Sequence, residues 1–302
     1  MQQQSLQQFD QSIQSADRDK HRKKSGNFVG PTTRSLSAPK AESMLDQLQA
    51  SKIAEEYLAK LDKYKLLIDG NTKAETEKLV STNLLIELRN MLTWSKKSKR
   101  TEDVKMVQLK ACQVLESLVV DNRSCVTIVI ESGIIDEVLS IINIILLSQV
   151  QLVHLSPLHE FLEVCTSYQK LLFIEKGIIP TMRRLLDSPD ELCVRMAVGM
   201  IERVLHASWM QAGELEETEV RKIIEKDGTL DKLVDVLENE EYQDQEINEK
   251  VALAIGQAFK ATAIPIGYRS EVIQLIKRIT NHEDQYMSSV AIRVLAGLAE
   301  NK

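Results

Sequence analysis

Aromatic side chains are scarce in this sequence, at 4% of 302 residues, and turn formers are few, with six prolines and eleven glycines. A β-sandwich or barrel draws its core and its many tight turns from those residue types, so their shortage argues against both. Cysteine is sparse too. Cys112, Cys125, Cys165 and Cys193 form no C-x-x-C pair, and no basic–apolar–small leader opens the chain, so reduced intracellular thiols are expected. No uninterrupted apolar run reaches bilayer length: the nearest, Ile134 to Leu147, is broken by Asp136, Glu137 and Asn143, so no membrane association is expected. Phosphate-cradling and nucleophile motifs are missing as well, with no G-x-G-x-x-G, no G-x-x-x-x-G-K-S/T and no G-x-S-x-G. HEFLE at His159–Glu163 lacks the second histidine of a zinc-protease helix. His154, His159 and Cys165 share that stretch and read as core or groove residues rather than metal ligands. Neither catalysis nor a cofactor or metal is expected.

What the chain does have is Leu, Ile, Val and Ala, within a hydrophobic content of 43% and a charged content of 27%. That mixture suits helix packed on helix. The formal charge of −6 is uneven: residues 1–40 carry seven Lys/Arg against three Asp, a net +4, which leaves −10 on residues 41–302. An acidic body cannot present the positive face that phosphate requires, so no nucleic-acid partner is expected. The Gln-rich and then basic, Gly/Pro/Ser-containing stretch 1–40 reads as a disordered tail, since it has too little apolar surface to offset the entropy of ordering. Residues 41–70 carry apolar side chains at three- and four-residue steps (Met44, Leu45, Leu48, Tyr57, Leu58, Leu61, Tyr64, Leu67, Ile68) and end at Gly70-Asn71. This predicts an amphipathic helix, either a short coiled coil or, the preferred reading, a cap over the first repeat.

From residue 75 to 302 the chain repeats at a period in the forties. An acidic–x–Gly–apolar junction recurs as IESGIIDEVLSII at Ile130–Ile142, IEKGIIPTMRRLL at Ile174–Leu186 and IEKDGTLDKLVDVL at Ile224–Leu237, its glycines Gly133, Gly177 and Gly228 lying 44 and 51 residues apart. Glycine ends a helix because it adopts the left-handed conformation other residues resist. Pro180 falls just inside the next helix, where its missing N–H costs nothing. A polar break and a longer amphipathic helix follow, most cleanly in DSPDELCVRMAVGMIERVL, with Val194, Ala197, Val198, Ile201, Val204 and Leu205 as the buried stripe. Small residues recur in these longer helices at Ala111, Ala197, Ala252 and Ala291, which lets neighbouring helices approach closely. Cys112, Cys125 and Cys193 take buried positions as small hydrophobes, and Trp94 and Trp209 read as packing anchors.

This arrangement resembles the armadillo repeat, with a short first helix, a glycine turn, a second helix ending in a polar break, and a long third helix opening near a small-residue pair. The resemblance covers about residues 75–302, in five repeats, and implies an all-α, right-handed α-solenoid of armadillo-like (ARM/HEAT-type) repeats that binds proteins. It also implies a concave groove lined by third helices, where family members use asparagines to hold a peptide backbone and, in nuclear-import adaptors, tryptophans to cradle lysines. Carried over from the small pair, the asparagine position is Ser117, Arg203, Ala258 and Gly297, and the tryptophan position is Gln113, Gly199, Ala254 and Arg293. Both arrays are absent, so an import-type grip on basic signals is disfavoured. Gln113, Ser117, Arg203 and Arg293 remain as candidate groove residues, the two arginines as candidate hot spots.

The function expected is therefore a non-catalytic scaffold or adaptor for protein partners. The alternative is a structural subunit packed permanently in a larger complex, with self-association through the C-terminal repeat, because the apolar helix VAIRVLAGLA runs to the end of the sequence. Two short motifs add detail. RSLSAP, with Arg34, Ser37 and Pro39, matches the pattern read by 14-3-3-type proteins once Ser37 is phosphorylated. KKSKR, with Lys96, Lys97, Lys99 and Arg100, fits a short nuclear-localisation signal or a solvated loop, so a cytoplasmic protein with nuclear access is expected. The acidic runs Glu214–Glu219 and Glu238–Glu246 read first as solvated loops and helix starts, and second as attractors of a basic partner.

Overall fold

A computed structural model describes residues 38–80, 83–120, 122–212, 219–239 and 244–299, so Arg34 and Ser37 of the RSLSAP motif, most of the tail, and the core of the Glu214–Glu219 run lie outside it. The chain divides into two compact units, residues 1–45 and Asp46–Lys302.

The described residues form fifteen α-helices and no strand. The first, α1, spans Ala38–Gly70. The others fall into repeats: α2 (Lys73–Val80), α3 (Leu84–Lys97) and α4 (Glu102–Val119); α5 (Val126–Glu131), α6 (Ile134–Ile144) and α7 (Leu152–Val164); α8 (Ser167–Glu175), α9 (Ile178–Leu185) and α10 (Glu191–Gln211); α11 (Glu219–Lys226), α12 (Thr229–Glu238) and α13 (Gln245–Ala258); then the two-helix unit α14 (Ile266–Ile279) and α15 (Gln285–Ala299).

Local chemistry sets these boundaries. Gly133, Gly177 and Gly228 each take a positive φ, of 77°, 85° and 77°, and separate a short first helix from the second helix of their repeat. The third helices open on side-chain caps: Thr101 accepts from the Val104 N–H, Asp190 from Leu192 and Asp244 from Glu246. Each cap satisfies an amide that the first turn leaves without an intrahelical partner, an effect of about 1 kcal/mol. α7 opens differently, on a reciprocal cap in which the Gln151 N–H donates to Nδ1 of His154 at 3.0 Å. It also tolerates Pro157 in its interior.

Stacking runs in rows. α4 packs on α7, α7 on α10 and α10 on α13, while α3 packs on α6, α6 on α9 and α9 on α12. The predicted α10 stripe from Val194 to Leu205 is buried, as are the corresponding stripes throughout the stack. Each buried Leu, Ile or Val contributes roughly 1.5–3 kcal/mol, and it is buried only because the next repeat is present. Polar bonds step along the stack between residues 40 to 45 apart. Lys96 Nζ donates to Ser140 Oγ at 3.1 Å, Gln169 Nε2 to Thr127 Oγ1 at 3.1 Å, Lys176 Nζ to Asp136 at 2.8 Å and Lys232 Nζ to Asp187 at 2.7 Å.

Within Asp46–Gly70, α1 lies in the crevice of α3 and α4. Tyr57 stacks edge-on against Trp94 with ring centroids 5.2 Å apart, and the Tyr64 hydroxyl donates to Glu87 at 2.8 Å. Ser51 bonds Asp103 and Lys65 bonds Ser117, an advance of fourteen residues on each helix, so α1 and α4 run parallel. The buried line is Ala54, Leu61 and Ile68, at steps of seven. Leu48 and Leu67, expected on that stripe, are exposed instead. Leu67 is rotated by one residue from Ile68, and Leu48 precedes the first contact with α4 at Ser51.

Candidate binding face

The third helices α4, α7, α10 and α13, with α15, present one face of the stack. α10 contributes Arg195, Gly199, Glu202, Arg203 and His206 to it at helical spacing. α7 belongs to the same row, with Pro157 standing where the other third helices carry alanine. That register places His159 at the tryptophan position and Glu163 at the asparagine position. Sequence reasoning read His159 only as a core or groove residue and assigned neither residue to these positions. The signal was Leu155, Leu158, Phe161 and Leu162, all buried at helical spacing.

An open cavity of about 830 Å³ lies on this face, lined by Glu163, Glu202, Asp244, Glu246, Glu249 and Asp284, by Lys170, Arg203 and Lys250, and by His282, Tyr286 and Met287 among others. Six carboxylates thus face three Lys/Arg. Some are already paired: Arg203 bonds Glu163, Arg195 bonds Asp244 and Glu246, and Lys250 bonds Glu246 at 2.6 Å. Glu202 and Glu249 are the buried acids, and among the described residues neither is bonded directly to a Lys or Arg. Glu202 accepts from Gln257 Nε2 at 2.7 Å. Glu249 accepts from Gln245 Nε2 at 2.7 Å and stands 3.8 Å from the His282 ring. Burial pushes the Glu202 carboxyl above the usual carboxylate range, against the smaller opposing pull of Gln257, Lys170 and Lys250. Burial also lowers Lys170, His159 and Arg203.

Beyond the cavity the face closes. Ala254 and Ala258, expected to line the groove, are fully buried. The end of α10 and the start of α15 approach each other over them: His206 stacks on Trp209 and meets the Tyr286 ring edge-on at 6.2 Å, while Arg293 reaches Met210 Sδ at 3.8 Å. Lys260 lies 5.0 Å above the Trp209 ring and donates to the carbonyls of Trp209 and Ala212. Trp209 is a packing anchor in this arrangement. Burial lowers His206 to about 4, so it stays neutral there.

Gln113 and Ser117 line a separate shallow depression of about 560 Å³ beside α1, where Lys65 already holds the Ser117 hydroxyl. Arg203 lines the main cavity but is tied to Glu163 and the Gly199 carbonyl. Arg293 is outside the cavity lining and bonds Ser289. Lys96 and Lys97 end α3; Lys96 pairs with Glu137 at 2.6 Å, Arg100 donates to the Ile144 carbonyl, and Lys97 and Lys99 face solvent. Pro39 is the second residue of α1. His154 is used in its helix cap, and Cys165 is buried at the end of α7. Burial pushes Cys112, Cys165 and Cys193 up to about 12, which keeps them protonated. Among the described residues no group of three or more His, Cys, Asp or Glu could hold a metal, and no helix is long and apolar enough to cross a membrane.

Stacked repeats of three helices, a glycine turn within three of them, and a continuous row of third helices define an all-α solenoid with an armadillo-like repeat fold. Solved structures agree. The chain is similar to an engineered protein (TM-score 0.57, 15% identity, covering 85% of this chain and 96% of that one). It is also similar to a designed armadillo repeat protein in complex with the peptide (KR)4 (TM-score 0.53, 17% identity, covering 79% and 91%). A third is a set of armadillo repeat proteins computationally designed for modular peptide recognition (TM-score 0.53, 17% identity, covering 80% and 93%). At these identities the likeness establishes the fold. No family model and no curated protein matches the sequence.

Proposed function

We propose that this protein is a non-catalytic scaffold that holds an extended, basic segment of a protein partner on the face built by α7, α10, α13 and the start of α15. The observation that carries this reading is the cavity with six carboxylates against three Lys/Arg, two of the acids being buried with no Lys or Arg among the described residues bonded directly to them. A lysine or arginine from a partner supplies the missing positive charge, and charge-assisted bonds in a partly desolvated site are the strong ones. A repeat scaffold for protein binding is supported by the similar designed armadillo repeat proteins, one in complex with a peptide and others designed for peptide recognition. The test is fluorescence anisotropy with a labelled peptide of alternating Lys and Arg. The expected result is saturable binding that weakens with salt and drops at least tenfold, about 1.4 kcal/mol, in the double variant Glu163→Lys, Glu246→Lys. Equal binding by the double variant would overturn the proposal. Regulation through phosphorylated Ser37 and a 14-3-3-type partner rests on the RSLSAP motif, and binding of a phosphopeptide spanning Arg34–Pro39 tests it.

A further inference from the structure

The basic run Lys96–Arg100 does not sit on a free loop. Lys96 Nζ reaches Ser140 Oγ at 3.1 Å and Arg100 bonds the Ile144 carbonyl, so the run lies along the last turn of α6 with a constant offset of 44 residues. Arg184 arrives from the next repeat and donates to the carbonyls of Ile142 and Ile145 at 2.7 and 2.5 Å. The carbonyls of Ile142, Ile144 and Ile145 at the C-terminal end of α6 therefore accept from arginines, and cations favour that end of a helix. The corner is fixed at both sides.

Two kinds of side chain project from this fixed corner. Ile144 and Leu146 are 47% and 61% exposed, although both lie beside the core residue Ile145, which is 5% exposed. Lys97 and Lys99 are exposed, with no carboxylate among the described residues paired to either. The nearby acids are engaged elsewhere: Glu137 with Lys96, Glu102 with Lys105, Asp103 with Ser51. A small cleft between Arg100, Lys105, Leu109, Ile145 and Gln149 continues the corner toward α4. The result is an apolar pair flanked by positive charge, on a protein whose residues 41–302 carry −10.

We propose that this corner docks an acidic segment of a protein partner, Lys97 and Lys99 facing its carboxylates and Ile144 and Leu146 its apolar side chains. An anionic lipid surface shares part of that chemistry. Electrostatic attachment to a membrane draws on clusters of about four to eight basic residues, whereas this corner offers two uncommitted lysines with Glu102, Asp103 and Glu137 close by in the chain or the fold. Two exposed lysines beside the exposed Ile144 and Leu146 suit a short acidic and apolar peptide rather than an extended lipid surface. This surface is separate from the acidic cavity and does not depend on the reading of that cavity.

The test pans a random 16-residue peptide library on the full chain and compares selected peptides on the wild type and on the triple variant Lys97→Glu, Lys99→Glu, Leu146→Ser. Lys96 and Arg100, which hold α6, are kept, and an unchanged thermal melt of the variant establishes that it folds. The expected result is a class of peptides rich in Asp/Glu with Leu, Ile or Phe, whose affinity falls at least tenfold on the variant and is unchanged on the control Lys277→Glu. The proposal is overturned if every selected peptide binds wild type and variant equally. It is also overturned if no acidic–apolar class emerges while phosphatidylserine vesicles bind the wild type and not the variant.

Discussion

The side-chain amide of Gln257 donates to the carboxylate of Glu202 at 2.7 Å, joining α13 to α10 inside the stack. The two residues hold the same register position in successive repeats, next to the asparagine position, and Glu116 holds it in the first. Because burial raises the Glu202 carboxyl, this group stabilises the fold while protonated, and the contribution is lost as pH rises through the raised folded value. The ordinary value is 4.5. The Glu202→Gln variant should therefore gain stability relative to wild type as pH is raised from there toward neutrality. Urea midpoints measured across that range check the sign; a wild type that gains on the variant would contradict it.

Gly256 packs where a side chain has no room. A Cβ there would lie 2.6 Å from Val294 Cγ1 and 2.7 Å from Ile276 Cδ1. Gly256→Ala should destabilise the protein by about 1–3 kcal/mol, the usual cost of overpacking. Chemical denaturation measures it, and an unchanged midpoint would refute the close approach of α13 to α14 and α15.

Gly228 and Gly267 should respond oppositely to alanine. Gly228 has φ of 77° and an Arg183 nitrogen 3.3 Å from the added Cβ, whereas Gly267 lies in the first turn of α14 with nothing within 4 Å. Gly228→Ala should cost about 1 kcal/mol through left-handed strain, and Gly267→Ala should gain about 0.5–1 kcal/mol. The two midpoints should move in opposite directions.

Thiol chemistry reports the core directly. Cys112, Cys165 and Cys193 are buried and held protonated, so they should react with a disulfide reagent at pH 8 only as fast as the stack opens. Rapid labelling of these three in native buffer would contradict the packing, and full labelling in denaturant supplies the reference.

Much of this fold was legible in the sequence because its main devices are local. Gly133, Gly177 and Gly228 mark the turns, and the α10 stripe is buried as its spacing predicts. The binding face was less legible. α7 was hidden because Pro157 replaces the small-residue marker, so Glu163 and His159 did not enter the candidate list. The closure over Ala254 and Ala258 depends on His206 meeting Tyr286 and Met210 meeting Arg293, contacts that bring α10 to α15 across an intervening repeat. No periodic pattern encodes such a contact. Of the arginines expected to act as hot spots, Arg203 shows the same limit: register placed it near the face, but its partner Glu163 is set by packing of α7 on α10, whereas Arg293 bonds Ser289 one turn back in its own helix.

Binding of a basic segment in the acidic cavity can be read from hydrogen exchange of the full chain with and without the alternating Lys-Arg peptide. The helix starts at 244–250 and 282–287 line the cavity and carry amides near the fraying ends of α13 and α15. Slowed exchange in those two segments, abolished by Glu163→Lys with Glu246→Lys, is the predicted result. Unchanged exchange there at saturating peptide, or protection confined to other segments, would contradict the account.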